Sequence, residues 1–148
     1  MTATQTSTHE ITELLKTRWQ QVSAKIQQLA DALPETSFET VPSAGLRTSG
    51  AVLRHVAFWN HYVADSLLGN KTDDSTNELP VSVYGSKVSV LEALKKSSDE
   101  AAAALATADF SAKTVGLIVT FLEHTSEHYG QLAVYARLLG ITPPASAA

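Results

Sequence analysis

The stretch Leu117–Leu139, LIVTFLEHTSEHYGQLAVYARLL, decides how the rest of the chain is read. Leu117, Phe121, His124, His128, Gln131/Leu132, Tyr135 and Leu139 recur at steps of three or four, so on a helix their side chains stack along one face. The apolar members predict that this face points into a core. Two imidazoles then stand where a bundle helix ordinarily places Leu or Val. Imidazoles four residues apart differ by ~40° in direction and lie about 6 Å apart at Cβ. Two neutral nitrogens so placed can meet on one metal ion, as in the helical H-E-x-x-H motif of metalloproteases. The glutamate of that motif is missing: Glu127 directly precedes the second histidine, ~100° around the axis. Spacing alone leaves two readings, a metal-binding pair or two buried histidines bonded to neighbouring side chains.

The 148 residues suit one domain, 1–148, long enough to bury a core without a disulfide or a structural metal. A net charge of −4, with no run of Lys or Arg, gives no electrostatic basis for binding nucleic acid or an anionic membrane surface. Cysteine is absent, which removes disulfides, thiolate ligands and a Cys nucleophile together. The N-terminal MTATQTSTHE lacks the basic-then-apolar pattern of a signal peptide, and no apolar run approaches the ~20 residues that span a bilayer. A cytoplasmic location is expected.

Ser7-Thr8-His9-Glu10 has the form of a capping box and predicts a helix over 8–33. Its stripe is Ile11, Leu14/Leu15, Arg18/Trp19, Val22, Ile26, Leu29 and Leu33, stopped by Pro34, with His9 off the stripe at the surface. Residues 34–48 read as a connector. Ser49 is the expected N-cap of a second helix over 49–68, with Gly69 as its left-handed stop. Its stripe runs Val52, His55/Val56, Trp59, Val63 and Leu67, with Phe58 and Tyr62 beside His55. His61 lies ~240° from His55 and is expected to be exposed or locally bonded. Residues 70–86 form a second polar connector; both exceed the ~2–8 residues usual between bundle helices and suit either site covers or crossovers. Ser89-Val-Leu-Glu92 resembles another capping box and opens a helix over 89–106 with a thin stripe and an Ala-rich second half. The last helix, 114–139, ends at Gly140 before Thr142-Pro143-Pro144. No strand alternation and no internal repeat appears, so the fold class is all-α, a four-helix bundle. Gly130, inside the last helix at a cost of ~1 kcal/mol against Ala, is expected to admit another helix or a bound molecule.

Metal sites in bundles are built from inward side chains on facing helices. His55 is the one other histidine on an apolar face. With His124 and His128 it offers three nitrogen ligands and leaves room for water or substrate, the pattern of a catalytic rather than a closed structural site.

The chain resembles the DinB/YfiT-like family of four-helix metalloproteins. The likeness rests on Ser49-Gly-Ala-Val-Leu-Arg-His55 and on His124-x-x-x-His128-Tyr-Gly130-Gln131, followed by Tyr135, Arg137, Gly140 and Pro143-Pro144. Length, helix count and motif spacing agree, so the resemblance covers the whole chain. It implies a divalent metal on His55, His124 and His128, and often a homodimer. The family's characterised branches resemble S-transferases that use low-molecular-weight thiols such as bacillithiol, and a mycothiol-dependent isomerase. Many members carry an acidic residue about a turn beyond the helix 2 histidine. Here that place holds Trp59-Asn60, so no general base carries over.

The function expected on these grounds is a metal-dependent S-transferase joining a small-molecule thiol to an electrophile. The metal is Zn, Ni, Fe, Co or Mn, all compatible with imidazole donors, and it would hold the thiol ionised for attack on an electrophilic carbon. The histidines act as ligands and not as bases. Trp59, Tyr62 and Tyr135 are expected to wall the pocket, although the same spacings suit ordinary core, and Gln131 to orient a ligand or water. Two alternatives stand beside this. One is hydrolysis by a metal-bound water assisted by Glu123 or Glu127 if the helix were rotated. The other is a non-catalytic metal-binding or interaction bundle.

Overall fold

The computed structural model describes residues 3–147, with side chains from Thr8 onward. The described residues form four helices, α1 (Ala3–Ala32), α2 (Ser49–Leu68), α3 (Lys87–Thr107) and α4 (Ala112–Leu138), with single 3-10 turns at Glu35–Ser37 and Pro144–Ser146. No strand occurs among the described residues, and no described helix is long and apolar enough to cross a membrane. The all-α, four-helix reading of the sequence is what the chain adopts.

The helix starts differ from the expected caps. α1 begins at Ala3, so Ser7–Glu10 lies inside it; Ala3 to Thr6 contain no Gly or Pro to stop the helix extending backwards. At α2 the cap is Thr48 and not Ser49: Thr48 is extended, and its Oγ1 accepts from the Ala51 N–H at 3.0 Å. Gly69 closes α2 in the left-handed conformation, φ 71°, as expected. The capping box of α3 sits one turn earlier than Ser89–Glu92. Ser86 is the cap, and Ser89 returns the second bond that a Glu usually supplies. Ser111 caps α4, which begins at Ala112, two residues ahead of the expected start.

Two apolar clusters fix the direction of each helix. One joins Ile26, Leu29 and Leu33 from the end of α1 with Val52, Leu53 and Val56 from the start of α2, Val90 and Leu94 from the start of α3, and Leu132 and Ala136 from the end of α4. The other joins Leu15 and Trp19, early in α1, with Val63 late in α2, Leu105 late in α3 and Ile118 early in α4. α1 and α4 therefore run one way, α2 and α3 the other. α1 and α2 each pack against α3 and α4, so α2 and α3 are parallel neighbours. A parallel pair cannot be joined by a tight turn. The 69–86 connector must return the length of α2, ~30 Å at 1.5 Å per residue, and this is the physical reason for its length.

Packing also rotates the expected stripes. α2 buries Leu53, Val56, Ala57, Asn60, Val63 and Ala64, leaving His55, Trp59 and Tyr62 half-buried along one edge. In α4 the deep positions are Ile118, Thr125, Leu132 and Ala136. Of the stripe expected to face the core, Leu132 and Tyr135 are buried; Leu117, Phe121, His124, His128 and Gln131, ~60–100° to one side of the deepest positions, are half-buried, and Leu139 is 49% exposed. The imidazoles thus replace no core Leu or Val; they line a groove between α2 and α4. Gly130 is exposed, and a Cβ there would meet nothing within 4 Å, so the expected close approach of another helix does not occur. Gly50 has the opposite surroundings. Its N–H donates to the Phe38 carbonyl at 2.9 Å, and a Cβ would stand 2.5 Å from that oxygen, because the 33–48 connector lies directly on the first turn of α2.

Candidate metal centre

His55, in the second turn of α2, faces His124 and His128, one turn apart on α4. One ring nitrogen from each lies within 4.8 Å of the others, and all three side chains are half-buried. His55 Nε2 and His124 Nε2 are 2.9 Å apart. Tetrahedral coordination at ~2.0–2.1 Å sets ligand nitrogens about 3.3 Å apart, so only a small outward adjustment separates these two rings from that spacing.

The outer nitrogens fix the state of the inner ones. His55 Nδ1 bonds the Asn77 carbonyl, which can only accept, so the proton is on Nδ1 and Nε2 is the lone-pair nitrogen, turned towards His124 Nε2. His128 Nδ1 donates to Gln131 Oε1 at 3.0 Å. The Gln131 amide is itself oriented by donating from Nε2 to Tyr135 Oη at 2.8 Å. Two of three imidazoles therefore carry the outer hydrogen bond characteristic of metal-binding histidines. Burial pushes His124 down to about 4, helped by His128 and His55. Burial also lowers His55, outweighing the opposing pull of the Asn77 carbonyl. Neutral imidazoles are the form that binds a metal. Three nitrogen donors gathered on one groove, two with their protons held on the far side, fit a divalent cation.

An aromatic wall flanks the triad. Trp59 stacks on Phe121 with centroids 5.7 Å apart and reaches within 6.2 Å of His55 and 6.4 Å of His124. Tyr62 extends the wall, 5.1 Å from Trp59 and 5.9 Å from Phe121. Beyond it opens a polar cleft of about 710 Å³ lined by Tyr62, Leu117, Ser66, Asn70, Lys113 and Thr114 among others. Trp59 and Tyr62 thus stand beside the triad together with Phe121. Gln131 and Tyr135 are elsewhere: Tyr135 is 3% exposed, and the two stand behind His128 instead of lining the groove. Glu123 and Glu127 are exposed on α4. Asn60 is buried and donates to Ser97 Oγ of α3 at 3.3 Å, so it does not stand in for the acidic residue other members carry. His9 is exposed, and His61 Nδ1 lies 2.7 Å from Glu100 Oε2, away from the triad.

Sequence reasoning missed the residues that brace His55. Arg54, only 3% exposed, places Nε 2.8 Å from Glu78 Oε1 and Nη1 2.7 Å from Glu39 Oε1. Arg47 Nη2 holds the other Glu78 oxygen at 2.7 Å. Burial works against the Arg54 charge, but the two carboxylates raise its pKa above the ordinary guanidinium value. The available signal was an arginine next to the apolar positions Val52, Leu53 and Val56. Its partners lie in both connectors, where periodicity has nothing to say. No curated protein matches the chain. The model of the DinB family matches residues 4–147, nearly the full length and both helices that bear the triad, and the chain belongs to the DinB family.

Proposed function

We propose that His55, His124 and His128 hold a divalent metal ion and that the protein is a metal-dependent transferase acting with a low-molecular-weight thiol. The observation that carries the metal reading is the convergence of three ring nitrogens, two with their protons fixed outward by Asn77 and Gln131. Three protein ligands are one fewer than a closed structural zinc site employs. A bound divalent ion would supply the positive charge that keeps a thiol ionised at neutral pH. The chain has no cysteine of its own, which favours a thiol brought from solution. His55, His124 and His128, as ligands, are unavailable as bases. Trp59, Phe121 and Tyr62 shelter the apolar part of an electrophile and keep water from that side of the groove. The polar cleft beyond Tyr62 offers room for the hydrophilic remainder of a thiol.

Hydrolysis ranks second, because Glu123 and Glu127 are exposed and the metal-ligand grouping contains no carboxylate. The same reading takes Zn, Ni, Fe, Co or Mn as the metal and the cytoplasm as the compartment. It also takes the chain to form a homodimer, supported by Val134, Leu138 and Leu139, apolar and exposed near the end of α4.

Elemental analysis of protein purified without chelator, beside His128→Ala, tests the metal: stoichiometric metal in the first and loss in the second is expected. Metal-loaded protein is then given a panel of cellular thiols with a haloarene. Conjugation that disappears in His128→Ala supports the transferase. Turnover of esters or amides without added thiol would favour hydrolysis, and no turnover with the metal bound would leave a non-catalytic bundle.

A further inference from the structure

We infer that Glu78, clamped between the buried Arg54 and Arg47, is a positioning residue for the histidine triad: it holds the 69–86 connector where the Asn77 carbonyl fixes the His55 tautomer. The inference rests on the metal reading for its purpose, but its geometry stands without a metal.

The connector must return along the bundle because α2 and α3 are parallel, and a chain of this length has many ways to do so. What selects one is a doubly used carboxylate. Glu78 Oε1 takes Arg54 Nε and Oε2 takes Arg47 Nη2, so two guanidiniums grip one side chain from two directions. Arg54 is also held at its other end, where Nη1 donates to Glu39 Oε1 at 2.7 Å and to the Tyr84 carbonyl at 3.1 Å. The Leu79 N–H closes the same spot by donating to the Arg54 carbonyl at 3.4 Å. Arg54 immediately precedes His55 on α2, and Glu78 immediately follows Asn77 in the connector. The clamp therefore fixes the two chain segments whose next residues meet at His55 Nδ1. The group that touches His55 is backbone, so the side chain at position 77 is not the determinant; the clamp at 78 is.

The two positions therefore behave oppositely. Asn77→Ala keeps the carbonyl and should leave His55 as it is. Glu78→Gln keeps the shape, but it removes the charge and one of the two acceptor oxygens. The tautomer is read in the full-length, metal-free protein labelled with ¹⁵N-histidine, at a pH where the imidazoles are neutral. Wild type and Asn77→Ala are expected to show His55 protonated at Nδ1 alone. Glu78→Gln should shift part of the population to Nε2–H and weaken zinc, measured by competition with a chromophoric chelator, about tenfold. A folded Glu78→Gln protein with an unchanged His55 signal overturns the inference, as does an equal shift in Asn77→Ala. If Glu78→Gln does not fold, Arg47→Met takes its place, since it frees one Glu78 oxygen and leaves the buried pair intact. A partial shift there supports the clamp and none overturns it. Because the tautomer is observed without metal, failure to bind zinc at all would refute the metal reading while leaving this result standing.

Discussion

Replacing Gln131 with Leu removes the acceptor that holds the His128 proton on Nδ1, at nearly constant side-chain volume. The ring can then turn, or carry its proton on Nε2, where it blocks the lone pair needed by the ion. Loss of such an outer partner typically costs roughly 10–100-fold in metal affinity, which converts to about 1.4–2.7 kcal/mol. The metal-free protein should suffer less. Tyr135 Oη loses a donor in a nearly buried setting, a loss of about 1 kcal/mol. The two effects separate in thermal melts with and without excess zinc. For a chain of this size 1 kcal/mol moves Tm by about 2–4 °C, so the zinc-induced rise should shrink by about 3–11 °C in Gln131→Leu. Tyr135→Phe deletes the hydroxyl but keeps the His128–Gln131 bond, so its zinc-induced rise should be cut much less. If Gln131→Leu binds zinc as tightly as wild type in a competition titration, the outer hydrogen bond is not what prepares His128, and the reasoning fails.

In the metal-free protein His124 is held down to about 4 by burial and by His128 and His55, whereas an unfolded chain protonates histidine near ~6.5. Between those values the unfolded state carries the extra proton. Stability is therefore full above about pH 6.5, declines as the pH falls towards about 4, and levels off below. Urea midpoints taken across that window should show the decline, and His124→Gln should flatten part of it; an unchanged slope would count against the burial of this ring. Gly50→Ala pushes a methyl against the Phe38 carbonyl at 2.5 Å and Glu39 Oε1 at 2.7 Å, and should cost about 1–3 kcal/mol in chemical denaturation. Gly130→Ala meets open space on the exposed side of α4, so it should raise stability by up to ~1 kcal/mol and leave zinc affinity unchanged.

Helix number, the stops at Gly69 and Gly140, and the three histidines were legible because each depends on residues near in sequence. The boundaries slipped where two caps competed locally: Thr48 against Ser49, Ser86 against Ser89. The depth of the imidazoles was misread for another reason. The innermost positions of α4 include Thr125 and Ala136, too polar or too small to mark a stripe, whereas Phe121 and Leu139 advertise one ~60–100° away. Asn77 and Glu78 were out of reach altogether. Their roles follow from the parallel course of α2 and α3, which is set by packing across the whole bundle and by no local pattern. A carbonyl contact in addition leaves no trace in the identity of the residue that makes it.

The positions of the three histidines also bear on when an ion can enter. His124 and His128 share one helix, but His55 lies 69 residues before His124, and the two are brought together only when α4 docks on α2. A chain emerging from synthesis offers at most a two-nitrogen grip until its last helix is in place. On the proposed metal reading, cation capture would be a late event on a folded scaffold, and metallation should report completed folding rather than nucleate it.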